Sequence, residues 1–320
     1  MKVIRLHDPN NLHLHDEPVP VPGLGETLVR VKAVGICGSD LHWFGEAGIG
    51  DARLEKPLVL GHEFAGEIAD GLRKGERVAV DPAVPCSVCG FCLQGNPNLC
   101  EHLRFAGHGS EDGALREYLA WSTACLHSLP DTLSDEDGVM LEPLGVAIHA
   151  VDLGKLRVGM TVGVFGCGPI GLLVIQIARL AGATEVFVTE PLPHRLEAAR
   201  DLDAREWKPG QDVDVAFEVA GENAALETAV AAVKPGGRVL LAGIPAADRT
   251  SFPASIARRK GLTFKMVRRT KFTYPRAIHL VKSGQVDVRS LVSHRFLLEQ
   301  VQEAFTVAQR REGLKVIIEI

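Results

Sequence analysis

Apolar residues in the first part of the chain fall in short runs of strand length, broken by Gly and Pro: Thr27–Ile36, Pro57–Ala69 and Glu76–Val84. Runs of this kind predict strands joined by turns. Near Gly159 the pattern changes. Apolar stretches (Thr161–Gly166, Glu185–Glu190, Asp214–Gly221, Arg238–Ile244) now alternate with segments of helical spacing (Pro169–Gly182, Pro193–Leu202, Asn223–Val233). That alternation predicts a parallel sheet with crossover helices on its faces. Near Lys265 the rhythm changes again, to a helix (Tyr274–Gly284), a strand (Val292–Phe296), a helix (Leu298–Arg311) and a closing strand (Lys315–Ile320). The predicted fold class is α/β: a doubly wound parallel-sheet domain at residues 143–269, inserted in a β-rich domain of residues 1–142 and 270–320.

Composition narrows the function. Lys and Arg number 35 against 40 Asp and Glu, a net charge of −5, so there is no basic field for a nucleic-acid backbone. Between Arg157 and Arg179 lie 21 uncharged residues, enough by count to span a bilayer, but they break at Gly166-Cys167-Gly168-Pro169-Ile170-Gly171 into a strand-like and a helix-like half. No membrane span is expected. The first residues lack the apolar core of a secretory leader. Four of the seven cysteines crowd into positions 86–100, which is metal spacing rather than a disulfide framework. A cytoplasmic protein is expected.

The break in the apolar run carries chemistry. Gly166, Gly168 and Gly171 fit G-x-G-x-x-G, with a strand before them, a helix after them, and a second strand ending at Glu190. In that setting the first glycine allows a tight turn, the second lets the backbone approach a pyrophosphate, and the third lets helix and strand pack closely. Pro169 and Ile170 open a helix whose free N–H groups face the phosphates. Glu190 would accept hydrogen bonds from the ribose. Its charge and the neighbouring Pro191 leave no welcome for a 2′-phosphate, so NAD is expected rather than NADP.

Cys86, Cys89, Cys92 and Cys100 are spaced C-x2-C-x2-C-x7-C in a loop rich in Gly and Pro. Four thiolates suit a closed structural zinc site. An iron–sulfur cluster is the other reading of four cysteines, but a nucleotide fold that handles hydrides needs no one-electron relay. A second group is Cys37 with His62 and Glu63, at Gly-flanked turns. Taken singly, Cys37 also reads as a small apolar residue and His62 as an ordinary polar group. Together with Glu63 they make a plausible catalytic zinc set that keeps a position open.

These segments carry a resemblance. GICGSDLHWF, KPLVLGHEFAG, PCSVCGFCLQGNPNLC, LEPLGVAIHA, GCGPIG and TYPRAIHLVKSGQVD resemble the zinc-dependent medium-chain dehydrogenases, and among them the polyol branch of sorbitol (L-iditol), xylitol and L-idonate dehydrogenases. The resemblance implies a GroES-like catalytic domain, a Rossmann coenzyme domain and two zinc ions per chain. Cys37, His62 and Glu142 would hold the catalytic zinc, with Glu63 binding it directly or holding its water, and Asp40 would orient the His ligand. It further implies that zinc acidifies the substrate hydroxyl and that the carbinol hydrogen leaves as hydride to NAD, with Ser39 and His42 passing the proton to solvent. Trp43, Glu142 and Arg269 would touch the polyol. Arg195 would lie on the cofactor side, and Ala242, Gly243 and Ile244 near the nicotinamide. A homodimer or homotetramer is expected. Rival readings are L-threonine 3-dehydrogenase and a catalytically silent scaffold that binds zinc and nucleotide.

The chain departs from the pattern between Trp207 and Asp212, where Lys208, Pro209, Gly210 and Gln211 stand in place of a crossover helix. Four extended residues reach at most about 14 Å. Crossing two strands at about 4.8 Å spacing and returning to the other end of the sheet needs more. The third strand, Arg205 to Trp207, is therefore expected to be short or frayed, with no helix after it.

Overall fold

The computed structural model describes residues 1–320, which divide into two units: Met1–Glu142 with Tyr274–Ile320, and Pro143–Thr273. Residues 270–273, expected with the first unit, run with the second. Their side chains fill the space over Gly145, where a Cβ would stand 2.6 Å from Thr273 Oγ1 and 2.8 Å from Thr270 Cγ2.

The spine of the first unit is the strand Glu26–Gly35. Val29, Val31 and Ala33 turn inward while Arg30 faces solvent, the alternation of a sheet with one covered face. One edge of this strand pairs antiparallel with Glu63–Ile68, which pairs in turn with Arg77–Val80. The other edge is shared by Tyr118–Ser122 and the closing strand Lys315–Glu319. Val292–Leu297 adds to the closing strand in parallel. The core beneath holds Trp43, Phe44, Phe64, Trp121 and Phe305, and each such ring contributes roughly 1.5–3 kcal/mol by leaving water. The helix Val301–Gln309 docks through Phe305 on Phe44, ring centres 5.0 Å apart. Of the run Pro57–Ala69, only residues from Glu63 onward form a full strand; Leu58 makes a single bridge to Leu6. That leaves the segment ahead of Glu63 free to turn at Gly61, which has φ 93°.

The second unit is a six-stranded parallel sheet. Numbering its strands in chain order, they lie 3-2-1-4-5-6: Arg205–Glu206, Glu185–Thr189, Thr161–Phe165, Val213–Glu218, Val233–Leu241 and Thr263–Met266. This is the doubly wound order, with its switch point between Thr161–Phe165 and Val213–Glu218. Helices Pro169–Leu180 and Asn223–Ala232 supply buried faces of Leu, Val, Ile and Ala. The third strand has only two residues, both exposed, and no helix follows it. Lys208–Gln211 forms a turn closed by Gln211 N–H to Lys208 O (3.1 Å). Ending the strand at Glu206 releases Trp207 and Asp212 into the crossing, which raises its greatest reach to about 20–22 Å. The Trp207 ring lies edge-on to Phe165, 6.3 Å between centres, and covers sheet surface that a helix would otherwise cover. No helix is long and apolar enough to cross a membrane; the uncharged run is strand Thr161–Phe165 followed by helix Pro169–Leu180.

Candidate active site and metal centres

Three of the expected ligands meet in the first unit. Cys37 caps the helix Gly38–Glu46, in extended backbone conformation. Glu63 opens its strand opposite Gly35 and so brings His62 and itself beside the end of the spine strand. One ligand atom from each of Cys37, His62 and Glu63 lies within 4.8 Å of the other two. His62 and Glu63 are buried, 5% and 1% exposed. Buried groups of this polarity persist only when paired or when they hold an ion. A thiolate, an imidazole and a carboxylate suit zinc, so the donor set fits the expected metal.

Asp40 organises the set. Its Oδ2 accepts the Cys37 N–H at 2.9 Å, and its Oδ1 lies 3.3 Å from both the Gly61 nitrogen and His62 Nδ1. With Nδ1 committed to Asp40, His62 keeps Nε2 for an ion, as a carboxylate behind a ligand His does in metal sites. Burial works against charge on both groups. Their attraction for one another wins: with the Cys37 and Gly61 N–H donors it holds Asp40 below the usual carboxylate range, and with the Cys37 sulfur it holds His62 well above the usual imidazole value.

The other expected residues are Glu142, Ser39, His42, Trp43 and Arg269. Glu142 lies outside the 4.8 Å group, in the first turn of the helix Leu141–Gly154, and is 5% exposed. Burial first, then repulsion from Glu63, pushes its carboxyl up to about 7 against the pull of His62 and Lys315. Ser39 Oγ is 3.4 Å from His62 Nε2, and His42 Nδ1 is 3.5 Å from Glu46. Trp43 is 1% exposed, edge-on to His108 at 5.5 Å; its indole N–H has no hydrogen-bond partner. Arg269 belongs to the second unit, half-buried and with φ 54°. Sequence reasoning missed Lys315, 2% exposed, whose ammonium pairs with Glu63 Oε2 and donates to Ile36 O at 3.0 Å. The only signal for it was a cation opening the closing run, directly ahead of Val316, Ile317 and Ile318.

The four-cysteine loop closes on itself. Cys89 caps the short helix Gly90–Leu93, and a 3-10 turn at Pro97–Leu99 delivers Cys100. The four sulfurs lie within 4.8 Å of one another, with Cys89 Sγ 3.5 Å from Cys92 Sγ and 3.9 Å from Cys100 Sγ. Ligands at about 2.3 Å in a tetrahedron are about 3.8 Å apart, so the spacing fits one zinc ion. Backbone N–H groups point at the sulfurs, Cys86 N to Cys100 Sγ at 3.2 Å and Cys89 N to Cys86 Sγ at 3.3 Å. The backbone N–H groups of Cys92 and Glu101 do the same for Cys89 and pull its thiol down to about 6.

In the second unit, each glycine of the loop has its own reason. Gly166 turns at φ 109°, and its N–H reaches Thr189 O at 2.9 Å. Gly168 caps the helix with only Arg195 nearby, 3.6 Å from where a Cβ would be. A Cβ on Gly171 would collide with the Gly166 carbonyl. Pro169 fills the first helical position, where its missing N–H costs nothing, and Ile170 follows. Glu190 sits at the end of the second strand, its oxygens accepting from Cys167 N (2.7 Å) and Leu192 N (3.0 Å). Ala242 and Gly243 follow the fifth strand, donating to Glu218 O at 2.8 and 3.1 Å, and Ile244 is exposed beside them.

Residues 23–131 match the family model for the alcohol dehydrogenase GroES-like domain, and residues 169–283 that for the zinc-binding dehydrogenase. Sorbitol dehydrogenase of Bacillus subtilis (strain 168) is 37% identical over 99% of this chain and 97% of its own length. The chain belongs to the zinc-dependent medium-chain dehydrogenase family. Two solved relatives share the fold of this dehydrogenase over its whole length. L-Idonate 5-dehydrogenase of Escherichia coli K-12 is 25% identical, with a TM-score of 0.93 and 98% of that chain covered. An E. coli CFT073 alcohol dehydrogenase complexed with NADH is 29% identical, with a TM-score of 0.91 and 99% covered. The dehydrogenase therefore has the expected architecture, a GroES-like unit with a Rossmann sheet.

Proposed function

We propose that this dehydrogenase oxidises a secondary alcohol of a polyol or sugar acid, of the sorbitol, xylitol or L-idonate type, with NAD as acceptor. The observation that carries the reading is the buried Cys37, His62 and Glu63 group, with Asp40 behind His62, in a chain that also folds a complete dinucleotide loop. Zinc held there supplies a Lewis acid for an alcohol oxygen. NAD supplies the hydride acceptor. The protein does the rest. Asp40 fixes the imidazole, Glu142 adds a carboxyl beside the group, and Ser39 and His42 start a route by which a proton can leave. Gly166, Gly168 and Gly171 admit the pyrophosphate to the helix N-terminus, while Glu190 favours a free ribose over a phosphorylated one. Arg195, Ala242, Gly243 and Ile244 complete the cofactor side. Trp43 and Arg269 are read as substrate-selecting groups. The Cys86, Cys89, Cys92 and Cys100 loop holds the second zinc for structure. The similarity to sorbitol and L-idonate dehydrogenases supports the substrate class.

We further place the enzyme in the cytoplasm, where thiol metal sites persist, and expect a homodimer or homotetramer, to be read by light scattering. The function is tested by following NADH formation with sorbitol, xylitol, L-idonate, L-threonine and simple secondary alcohols. Turnover of a polyol or sugar acid is expected. Turnover of threonine alone would keep the chemistry and overturn the substrate reading.

A further inference from the structure

Lys315 is the one ammonium among the buried groups around the candidate catalytic metal. It opens the closing strand Lys315–Glu319, which is held to the spine strand by the Ile317–Gly35 pairing and by Ile36 N–H to Val316 O at 3.0 Å. From there its four-carbon stem lies over Gly35. A Cβ at that glycine would stand 2.9 Å from Lys315 Cε and 2.8 Å from Val139 Cγ1, and would also run into Glu63 Oε2. The missing side chain at residue 35 makes the room in which Lys315 and Glu63 meet. The ammonium has two fixed partners, the Ile36 carbonyl at 3.0 Å and Glu63 Oε2. Cys37, Glu63 and Glu142 all bear on it electrostatically. A lysine with 2% exposure is rare unless paired, and here the pair shares a carboxylate with the metal group.

A carboxylate can hold an ion through one oxygen or two. Where one oxygen is tied to a buried ammonium, one remains. We propose that Lys315 is the positioning residue of this centre: by taking Glu63 Oε2 it leaves Glu63 a single oxygen for the metal, so that the ion keeps a coordination position for substrate. This rests on the reading of Cys37, His62 and Glu63 as the catalytic metal site, and it assigns Lys315 no contact with substrate.

The test uses the full-length protein loaded with cobalt(II), whose visible ligand-field bands report coordination number. Wild type, Lys315→Met, Glu63→Gln and the double variant Glu63→Gln/Lys315→Met are compared for metal content and spectrum. Lys315→Met is expected to keep two metal ions per chain. Its bands should weaken about twofold as the freed Oε2 turns to the ion and the coordination number rises. In the Glu63→Gln background the same replacement should leave the spectrum unchanged, because Lys315 acts only through Glu63. Lys315→Arg, which keeps the charge and the hydrogen bond, should restore the wild-type bands.

Wild-type bands in Lys315→Met overturn the proposal. So does an equal change in both backgrounds, which would mean that Lys315 acts directly. Loss of an ion from Lys315→Met also overturns it, since removing a positive charge should not loosen a cation. If Lys315→Met does not fold, Lys315→Gln takes its place in both backgrounds, since its amide can still donate to the Ile36 carbonyl without the charge. If wild type turns over no alcohol, the proposed function fails while the cobalt comparison still reads Lys315.

Discussion

Replacing Asp40 by Asn changes almost no volume and one charge, and the structure fixes what that costs. The carboxylate accepts from Cys37 N at 2.9 Å through one oxygen and faces Gly61 N and His62 Nδ1, both at 3.3 Å, through the other. An amide has only one oxygen to offer. If it faces Gly61 and His62, the NH2 meets the Cys37 N–H, donor against donor, and a buried donor goes unmet at about 1–3 kcal/mol. If it faces Cys37 instead, the NH2 meets His62 Nδ1. The imidazole can then accept there only by carrying its proton on Nε2, which removes the lone pair an ion needs. Either orientation weakens the site. Loss of a carboxylate behind a ligand histidine typically costs 10–100-fold in metal affinity, or about 1.4–2.8 kcal/mol. The assay is competition for zinc against a chromophoric chelator on the wild-type and Asp40→Asn proteins, following the two sites separately. The four-cysteine site should be unmoved and the other weakened at least about tenfold. Equal affinity at both sites in the two proteins would refute the role given to Asp40 and the assignment of Nε2 to the metal.

Further outcomes follow from other parts of the molecule. Gly171→Ala puts a methyl group into the Gly166 carbonyl; NADH affinity by fluorescence titration should fall about tenfold or more with zinc content intact. Trp207→Ala uncovers Phe165 and the sheet face around it. It should destabilise by about 2–3 kcal/mol in denaturant unfolding, at the lower end for large aromatic truncations because the ring is half-buried; an unchanged midpoint would mean that the shortened crossover needs no cover. Asp137 is buried, bonds Arg289 at 2.6 Å and Ser134 N at 2.8 Å, and these contacts outweigh burial to hold its carboxyl below the usual range. A depressed carboxylate contributes stability that is full above its unfolded pKa, near 4, and is lost as pH falls through its lower folded value. Asp137→Asn should therefore lower Tm near pH 6 more than near pH 3, and an equal drop at both would contradict the linkage.

Much of this was legible in the chain because it is written in local periodicity and spacing. The strand and helix runs after Gly159, the three glycines, and the four cysteines each fix their chemistry within a few dozen residues. The missing crossover helix was legible too, since four residues between Trp207 and Asp212 cannot form one. What could not be read depends on long-range pairing. Lys315 reaches Glu63 only because the closing strand pairs with the spine strand at Gly35, 282 residues earlier than Ile317. The resemblance named Glu142 as a ligand and left Glu63 open, while the fold groups Glu63 with Cys37 and His62 and leaves Glu142 outside that group, within electrostatic reach of His62 and Glu63. Nor does the sequence show that Trp43 is buried in the first unit's core with an unpartnered N–H.

The proposed chemistry needs the Cys37, His62 and Glu63 group to be where alcohol is oxidised. The most direct test is to strip zinc from that site with a chelator while the four-cysteine site stays loaded, then add zinc back in steps and record NADH formation from the best polyol substrate. The stripped protein should show no activity, and activity should return linearly and be complete at about one added ion per chain. Full activity in the stripped protein, or none after a full equivalent has bound, would contradict it.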